Sequence, residues 1–282
     1  MPVGQKASRT LEIIDAHAHL GSKATEQTRP ILVSADELVA SMDKNGISKA
    51  LVIARAESGT SNARLMSDLK PHRTRLFAIA EVGPGTEHAD AQLDFLWPLL
   101  EDGVIRGFKL YPGNTKCHSF DKRLHKYLES LEDAGRPVIV HTGDCLCRVP
   151  GSDLAFVKAR SVEILATMMP ELKIVMAHAG APHIADTVKA CLEHPNVSVD
   201  CSGFMRTRTD DEDDSETACD TRWLLTCLMQ LLEAIGPERI LFGTDFPIAR
   251  HMPYIKAMNG MPITADKLAL IMSGNAKRIF GL

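Results

Sequence analysis

The sequence predicts a single (β/α)8 TIM barrel, and three observations support that prediction. Short β-rich apolar runs alternate with amphipathic helical stretches along the 282 residues. There are eight such runs, the number of parallel strands that closes a barrel. Several of them end at a histidine or an aspartate, and the C-terminal ends of barrel strands are where catalytic groups converge. A doubly wound open sheet is the alternative that the same alternation allows. No near-identical repeat and no domain linker interrupts the pattern, so one barrel domain spanning 1–282 is expected.

The strands are read at residues 12–17, 50–54, 76–80, 105–110, 138–141, 174–178, 197–201 and 240–243. Several are nearly all apolar, as strands covered on both faces should be. Between them, Ser34-Ala-Asp-Glu37 reads as a capping box and Gly46 as the stop of the first helix. Residues 121–134 place Leu124, Leu128 and Leu131 on one stripe, ended by Gly135 before Pro137. Residues 182–193 and 221–235 read as further helices, the latter closed by Gly236-Pro237. The stretch 206–220 departs from the alternation. Its Asp210, Asp211, Glu212, Asp213, Asp214 and Glu216 read as a solvated loop after the seventh strand, where a lid over the barrel mouth would also hang.

Composition narrows the function. Hydrophobic residues make up 45% and charged residues 24%, the balance of a soluble globular protein. A formal net charge of -4 argues against nucleic acid as a partner, because phosphate binding usually needs a basic face. No apolar run reaches the roughly 18 to 20 residues of a membrane span. Residues 1–10 lack the apolar core of a secretory signal. The seven cysteines contain no CxxC pair, only the CxC of Cys145 and Cys147, and read as reduced thiols of a cytoplasmic protein. The expected partner is a small-molecule substrate, with assembly into a homo-oligomer left open.

The 11 histidines carry the chemistry. In Asp15-Ala-His17-Ala-His19-Leu-Gly21, strand alternation points His17 and His19 to the same side, a pincer for one divalent ion. An HxH pair alone is a weak signal. Here Val138-Ile-Val-His141, Ile174-Val-Met-Ala-His178 and Ile240-Leu-Phe-Gly-Thr-Asp245 add three more polar groups at strand ends. Imidazole and carboxylate gathered in one mouth would be costly without a metal or substrate. Asp15 precedes His17 by two residues; its role is read as structural and it stays outside the site.

The stretches DAHAHLG, GFKLYP, RPVIVHTGD, LKIVMAHAG, ERILFGTDFP and GNAKRIFGL together resemble the amidohydrolase superfamily. The closest resemblance is to its amidohydrolase-related branch, which includes the aminocarboxymuconate-semialdehyde decarboxylase type, and it runs over residues 13–282. It implies a divalent metal held by His17, His19, His141 and Asp245, with zinc the first expectation and manganese or iron the alternatives. His178 would act on substrate in a one-metal site and bind the second ion in a two-metal site. Lys109, in a GFKLYP string that also resembles dihydroorotase, would be carboxylated and bridge two ions. The alternative is an ammonium that binds a substrate carboxylate or pairs with Asp245. One ion or two is left open.

The implied reaction is hydrolysis of an amide, lactone or ester bond of a small molecule through a metal-activated water. Asp245 would shuttle the proton and His178 would hydrogen-bond the developing oxyanion. The alternative is metal-dependent, non-oxidative decarboxylation of an unsaturated or aromatic acid, for which Arg55 and Arg206 or Arg208 would hold the substrate carboxylate. A non-catalytic binding protein on the same barrel is a third reading; the presence of every ligand-type residue weighs against it.

Overall fold

The computed structural model describes residues 11–23, 31–56, 59–84, 89–144, 151–204 and 215–282. Eight strands form one parallel sheet whose order follows the chain. They are β1 (Ile14–Ala18), β2 (Lys49–Ile53), β3 (Leu76–Glu81), β4 (Ile105–Leu110), β5 (Val138–His141), β6 (Ile174–Ala177), β7 (Val197–Asp200) and β8 (Ile240–Leu241). A doubly wound sheet would reverse its strand order partway; this one does not. The last and first strands meet through Ala16 N–H donating to Phe242 O (2.9 Å), Asp245 N–H to His17 O (2.8 Å) and His19 N–H to Phe246 O (2.8 Å), so the sheet is a nearly closed barrel. Strand limits fall within a few residues of the predicted ones, the scatter expected at element ends.

Among the described residues, the longer helices of the crossovers are α1 (Ala35–Asn45), α2 (Asn62–Leu69), α3 (Ala89–Glu101), α4 (His125–Asp133), α5 (Ala159–Met168), α6 (Ile184–Glu193) and α7 (Ser215–Ile235). After β8 come α8 (His251–Asn259) and a C-terminal helical run that ends in Asn275–Phe280. The predicted capping box opens α1: Ser34 Oγ accepts from Glu37 N–H (3.2 Å) and Glu37 Oε2 accepts from Ser34 N–H (2.7 Å). Gly46 closes it at φ 69°. The predicted helix 121–134 begins instead with a 3-10 turn, Lys122–Leu124, where the Asp121 side chain accepts from Arg123 N–H. The helix predicted from 221 starts at Ser215, so Glu216 and Asp220 fall on it and not on the expected loop. Asp210 to Asp214, Arg206, Arg208, Cys145 and Cys147 lie outside the described residues. A two-stranded antiparallel ribbon, Gly21–Lys23 with Ile31–Val33, was not anticipated.

Alternation along the strands builds two apolar layers. Leu51, Ile53, Ile79, Ile139, Val175 and Leu241 gather inside the barrel with Ile279 and Phe280. Their neighbours Ala50, Val52, Val138, Val140, Ile174 and Met176 pack outward against Leu38, Met42, Leu128, Leu131, Val162 and Leu165 of the helices. Cys117, Cys191, Cys201 and Cys227 are buried free thiols, and burial pushes Cys191 and Cys227 up to about 11, as small core residues rather than nucleophiles. Among the described residues no helix is long and apolar enough to cross a membrane.

One irregularity positions the site. Ile14 and Asp15 pair with Lys49 and Ala50, but Ala18 pairs with Val52. Ala16 and His17 therefore stand opposite Leu51 alone, a β-bulge. Simple alternation would put Asp15 on the same face as His17 and His19. The bulge separates them: Asp15 turns to Thr244 and His251, while His17 joins His19 in the mouth.

Candidate metal centre

His17, His19 and Asp245 converge at the C-terminal mouth. His19 Nε2 lies 3.2 Å and His17 Nε2 3.7 Å from Asp245 Oδ1, and the donor atoms of all three fall within 4.8 Å of one another. All three side chains are buried. The far nitrogen of each ring is anchored. His17 Nδ1 is 2.9 Å from Asp200 Oδ2, and His19 Nδ1 is 3.1 Å from Ile53 O. A carbonyl or carboxylate oxygen only accepts, so both Nδ1 atoms carry the hydrogen. Each ring then turns Nε2 toward a carboxylate oxygen. Three ligand-type atoms meeting in a buried place fit a divalent cation, and two imidazoles with a carboxylate are a donor set such ions take. Gly243 makes room for this packing: a Cβ there would stand 3.0 Å from His17 Cβ.

His178 and His141 form the adjoining half of the mouth. The ring of His178 is 4.9 Å from that of His17 and 4.8 Å from that of His141. His141 is not one of the tight group around Asp245. Its Nδ1 lies 3.3 Å from His178 Nε2. His178 Nδ1 faces two oxygens of Ser202, the carbonyl at 3.3 Å and Oγ at 2.9 Å, so its hydrogen is on Nδ1. His141 Nδ1–H then donates to His178 Nε2, which leaves the Nε2 lone pair of His141 available. Burial holds His178 down to about 3, with His17 adding to the effect. Burial, His178, Lys109 and Arg55 hold His141 well below the ordinary imidazole value. Both rings are neutral at physiological pH.

Asp200, at the end of β7, was not singled out from the sequence, although it too is an acid at a strand end. It is fully buried and accepts from His17 Nδ1, from His178 N–H (3.0 Å), from Ser202 N–H (3.0 Å) and from Ser202 Oγ. Burial alone would raise its carboxyl; His17, with its hydrogen bond, and then His178 outweigh that and hold it below the usual carboxylate range. Asp200 also helps hold His178 at φ 60°, and the N–H···O=C bond to His17 holds Asp245 at φ 68°. Such left-handed backbone is uncommon for residues with a Cβ and persists where surrounding bonds over-determine it.

Lys109 is fully buried at the end of β4, with Nζ 5.2 Å from the centre of the Tyr111 ring. Arg55, after β2, is nearly buried and sits 5.6 Å from the same ring. Tyr111 in turn lies 5.9 Å from His141. The structure thus brings Lys109 and Arg55 to the His141 side of the mouth, around an aromatic ring that the sequence reading did not name.

Fold and site together define a (β/α)8 barrel with a metal-type histidine and aspartate cluster at its C-terminal mouth. The sequence profile of the amidohydrolase family matches residues 14–282, and the chain belongs to that family. It is an enzyme of the amidohydrolase superfamily, whose members generally depend on divalent metal. A search among curated proteins finds no match. Solved structures share the fold. A TIM-barrel protein of Bordetella bronchiseptica is 22% identical, covers 96% of this chain and 99% of its own, and superposes with a TM-score of 0.73. A probable 2-pyrone-4,6-dicarboxylic acid hydrolase of Acinetobacter baumannii is 17% identical, with 96% and 100% covered and a TM-score of 0.68. The 5-carboxyvanillate decarboxylase of Sphingomonas paucimobilis is 17% identical, with 97% and 100% covered and a TM-score of 0.68. Hydrolases and decarboxylases therefore both share this architecture.

Proposed function

We propose that the chain is a divalent-metal hydrolase that opens an ester, lactone or amide bond in a small molecule bearing a carboxylate. The observation that carries this reading is the convergence of His17 Nε2, His19 Nε2 and Asp245 Oδ1, with both imidazoles anchored from behind. His141, through its Nε2, is the fourth donor, and one ion is held per chain. Nitrogen and oxygen donors of this kind suit zinc first, then manganese or iron. A divalent ion held there supplies Lewis acidity and a water that is nucleophilic near neutral pH. Asp245 keeps a second oxygen, which accepts the proton from the attacking water and returns it to the leaving group.

The role of His178 differs from the oxyanion donor expected at first. Its Nε2 is an acceptor, and burial keeps the ring neutral, so it holds His141 in place. Lys109 and Arg55 supply positive charge on the His141 side for a substrate carboxylate, with Tyr111 as the surface between them. That same pair of cations favours a second reading, non-oxidative decarboxylation of an aromatic or unsaturated acid. The buried free thiols suit a reducing cytoplasmic setting.

The test is a panel of aromatic and pyrone carboxylates, offered to zinc-loaded and metal-stripped protein. Ring opening or ester cleavage is followed by chromatography and carbon dioxide by its release. Metal-dependent cleavage supports the first reading and metal-dependent carbon dioxide release the second. Equal turnover by the stripped protein would overturn both.

A further inference from the structure

We infer that Asp15 and His251 are positioning residues: a buried clamp that sets the spacing of His17 and Asp245, an inference that rests on the metal-centred reading above. Asp15 belongs to the DAHAHLG stretch, yet the bulge in β1 turns it away from the mouth. It is fully buried, and each of its oxygens faces two partners. Oδ1 accepts from His17 N–H (3.0 Å) and Thr244 N–H (3.1 Å). Oδ2 accepts from Thr244 Oγ1 (2.6 Å), and His251 Nε2 faces it at 3.2 Å in ion-pair range without hydrogen-bond geometry. One carboxylate therefore grips a metal-site histidine and the residue before Asp245.

His251 completes the grip from the other side. It is buried at the start of α8, with Nδ1 2.9 Å from Ser41 Oγ on α1. Its ring stacks on Phe246 at 4.5 Å and 9°. Phe246 N–H also donates to Thr244 Oγ1 (3.1 Å). Both chain neighbours of Asp245 are thus fixed, Thr244 by Asp15 and Phe246 by the His251 ring. This is where the backbone takes φ 68° and where β8 gives way to the short contacts that close the barrel on β1. Neither Asp15 nor His251 is among the residues gathered in the mouth, so their effect passes through the geometry of His17 and Asp245.

The test uses the whole chain, stripped and reloaded with Co²⁺. Affinity is read by chelator competition, ligand geometry by the visible bands of bound cobalt, and folding by thermal melting. Asp15→Asn, His251→Phe and His251→Gln are compared with the wild type. His251→Phe keeps a ring to stack on Phe246 but removes the polar group facing Asp15; His251→Gln returns a polar N–H group to that side. We expect roughly 10- to 100-fold weaker Co²⁺ binding and shifted bands in Asp15→Asn and His251→Phe, the scale for outer-shell partners of ligands, with recovery in His251→Gln. Unchanged affinity and bands in His251→Phe, with only a lower melting temperature, would make the pair structural and overturn the inference. That variant decides if Asp15→Asn does not fold. A wild type that takes up no Co²⁺ would instead remove the metal-centred reading, and the clamp with it.

Discussion

Asp200→Asn is the sharpest single test of how the site is held. The carboxylate accepts from four donors: His17 Nδ1, the backbone N–H groups of His178 and Ser202, and Ser202 Oγ. An amide has one accepting oxygen. If that oxygen stays with the backbone groups, the amide NH₂ faces His17 Nδ1–H, donor against donor. His17 then moves its hydrogen to Nε2, the nitrogen turned toward Asp245, and loses the lone pair a metal needs. If the amide flips, the NH₂ meets two backbone N–H groups, one of which holds His178 at φ 60°. The first arrangement is the less costly, because a tautomer shift moves no heavy atom. Loss of such an outer partner weakens metal binding about 10- to 100-fold, or ~1.4 to 2.8 kcal/mol. A lost hydrogen bond to a charged group removes about 1.5 to 3 kcal/mol from the fold as well. Chelator competition with zinc measures the first effect and denaturant unfolding of the stripped protein the second. Zinc affinity within about twofold of wild type, with unchanged unfolding, would refute the assignment of Asp200 as the anchor of His17.

Other consequences are as direct. Asp245→Asn keeps an oxygen donor but cannot shuttle a proton, so metal analysis should find the ion retained while turnover falls at least ~100-fold. His141→Ala should lose metal, whereas His178→Ala should retain it and lose activity; elemental analysis with two ions in the wild type and one lost from His178→Ala would mean a two-metal site. The stripped protein should lose stability as pH falls. His178, held to about 3, and His141 stay neutral in the fold while the unfolded chain protonates near 6.5, so the loss starts there and deepens toward pH 3. Asp200 works in the same sense lower down: its depressed carboxyl stabilises the fold above about pH 4, and that contribution is lost as pH falls further. Urea midpoints that are flat from about pH 7 to 4 would contradict the histidine part. Gly107→Ala should destabilise the barrel by about 1 to 3 kcal/mol, because the new Cβ would lie 2.5 Å from Pro137 O, a backbone atom that cannot give way cheaply. Thermal denaturation measures that change.

Much of the barrel was readable because its signals are local. The apolar runs Val138-Ile-Val and Ile174-Val-Met-Ala mark strands covered on both faces, and the capping box at Ser34 with Gly46 marks a helix from start to stop. Where the reading slipped, a nearby choice was close in energy. Asp121 capped a 3-10 turn before α4 could begin, and α7 extended back to Ser215 into an acidic stretch read as loop. His17, His19, His141, His178 and Asp245 were expected together because each stands at or just past the end of an apolar run, while their roles came from the family resemblance.

The sequence by itself therefore determined the fold class and set several ligand-type residues at strand ends, since strand period and strand-end chemistry are carried by neighbours in the chain. Only the tertiary structure decided how those residues are held. The bulge that parts Asp15 from His17 depends on pairing with β2. Asp200 reaches His17 across 183 residues, and Thr244 reaches Asp15 across 229. Such bonds have no local period to reveal them. They exist because barrel closure carries the last strands back to the first, and burial there obliges each polar atom to find a partner.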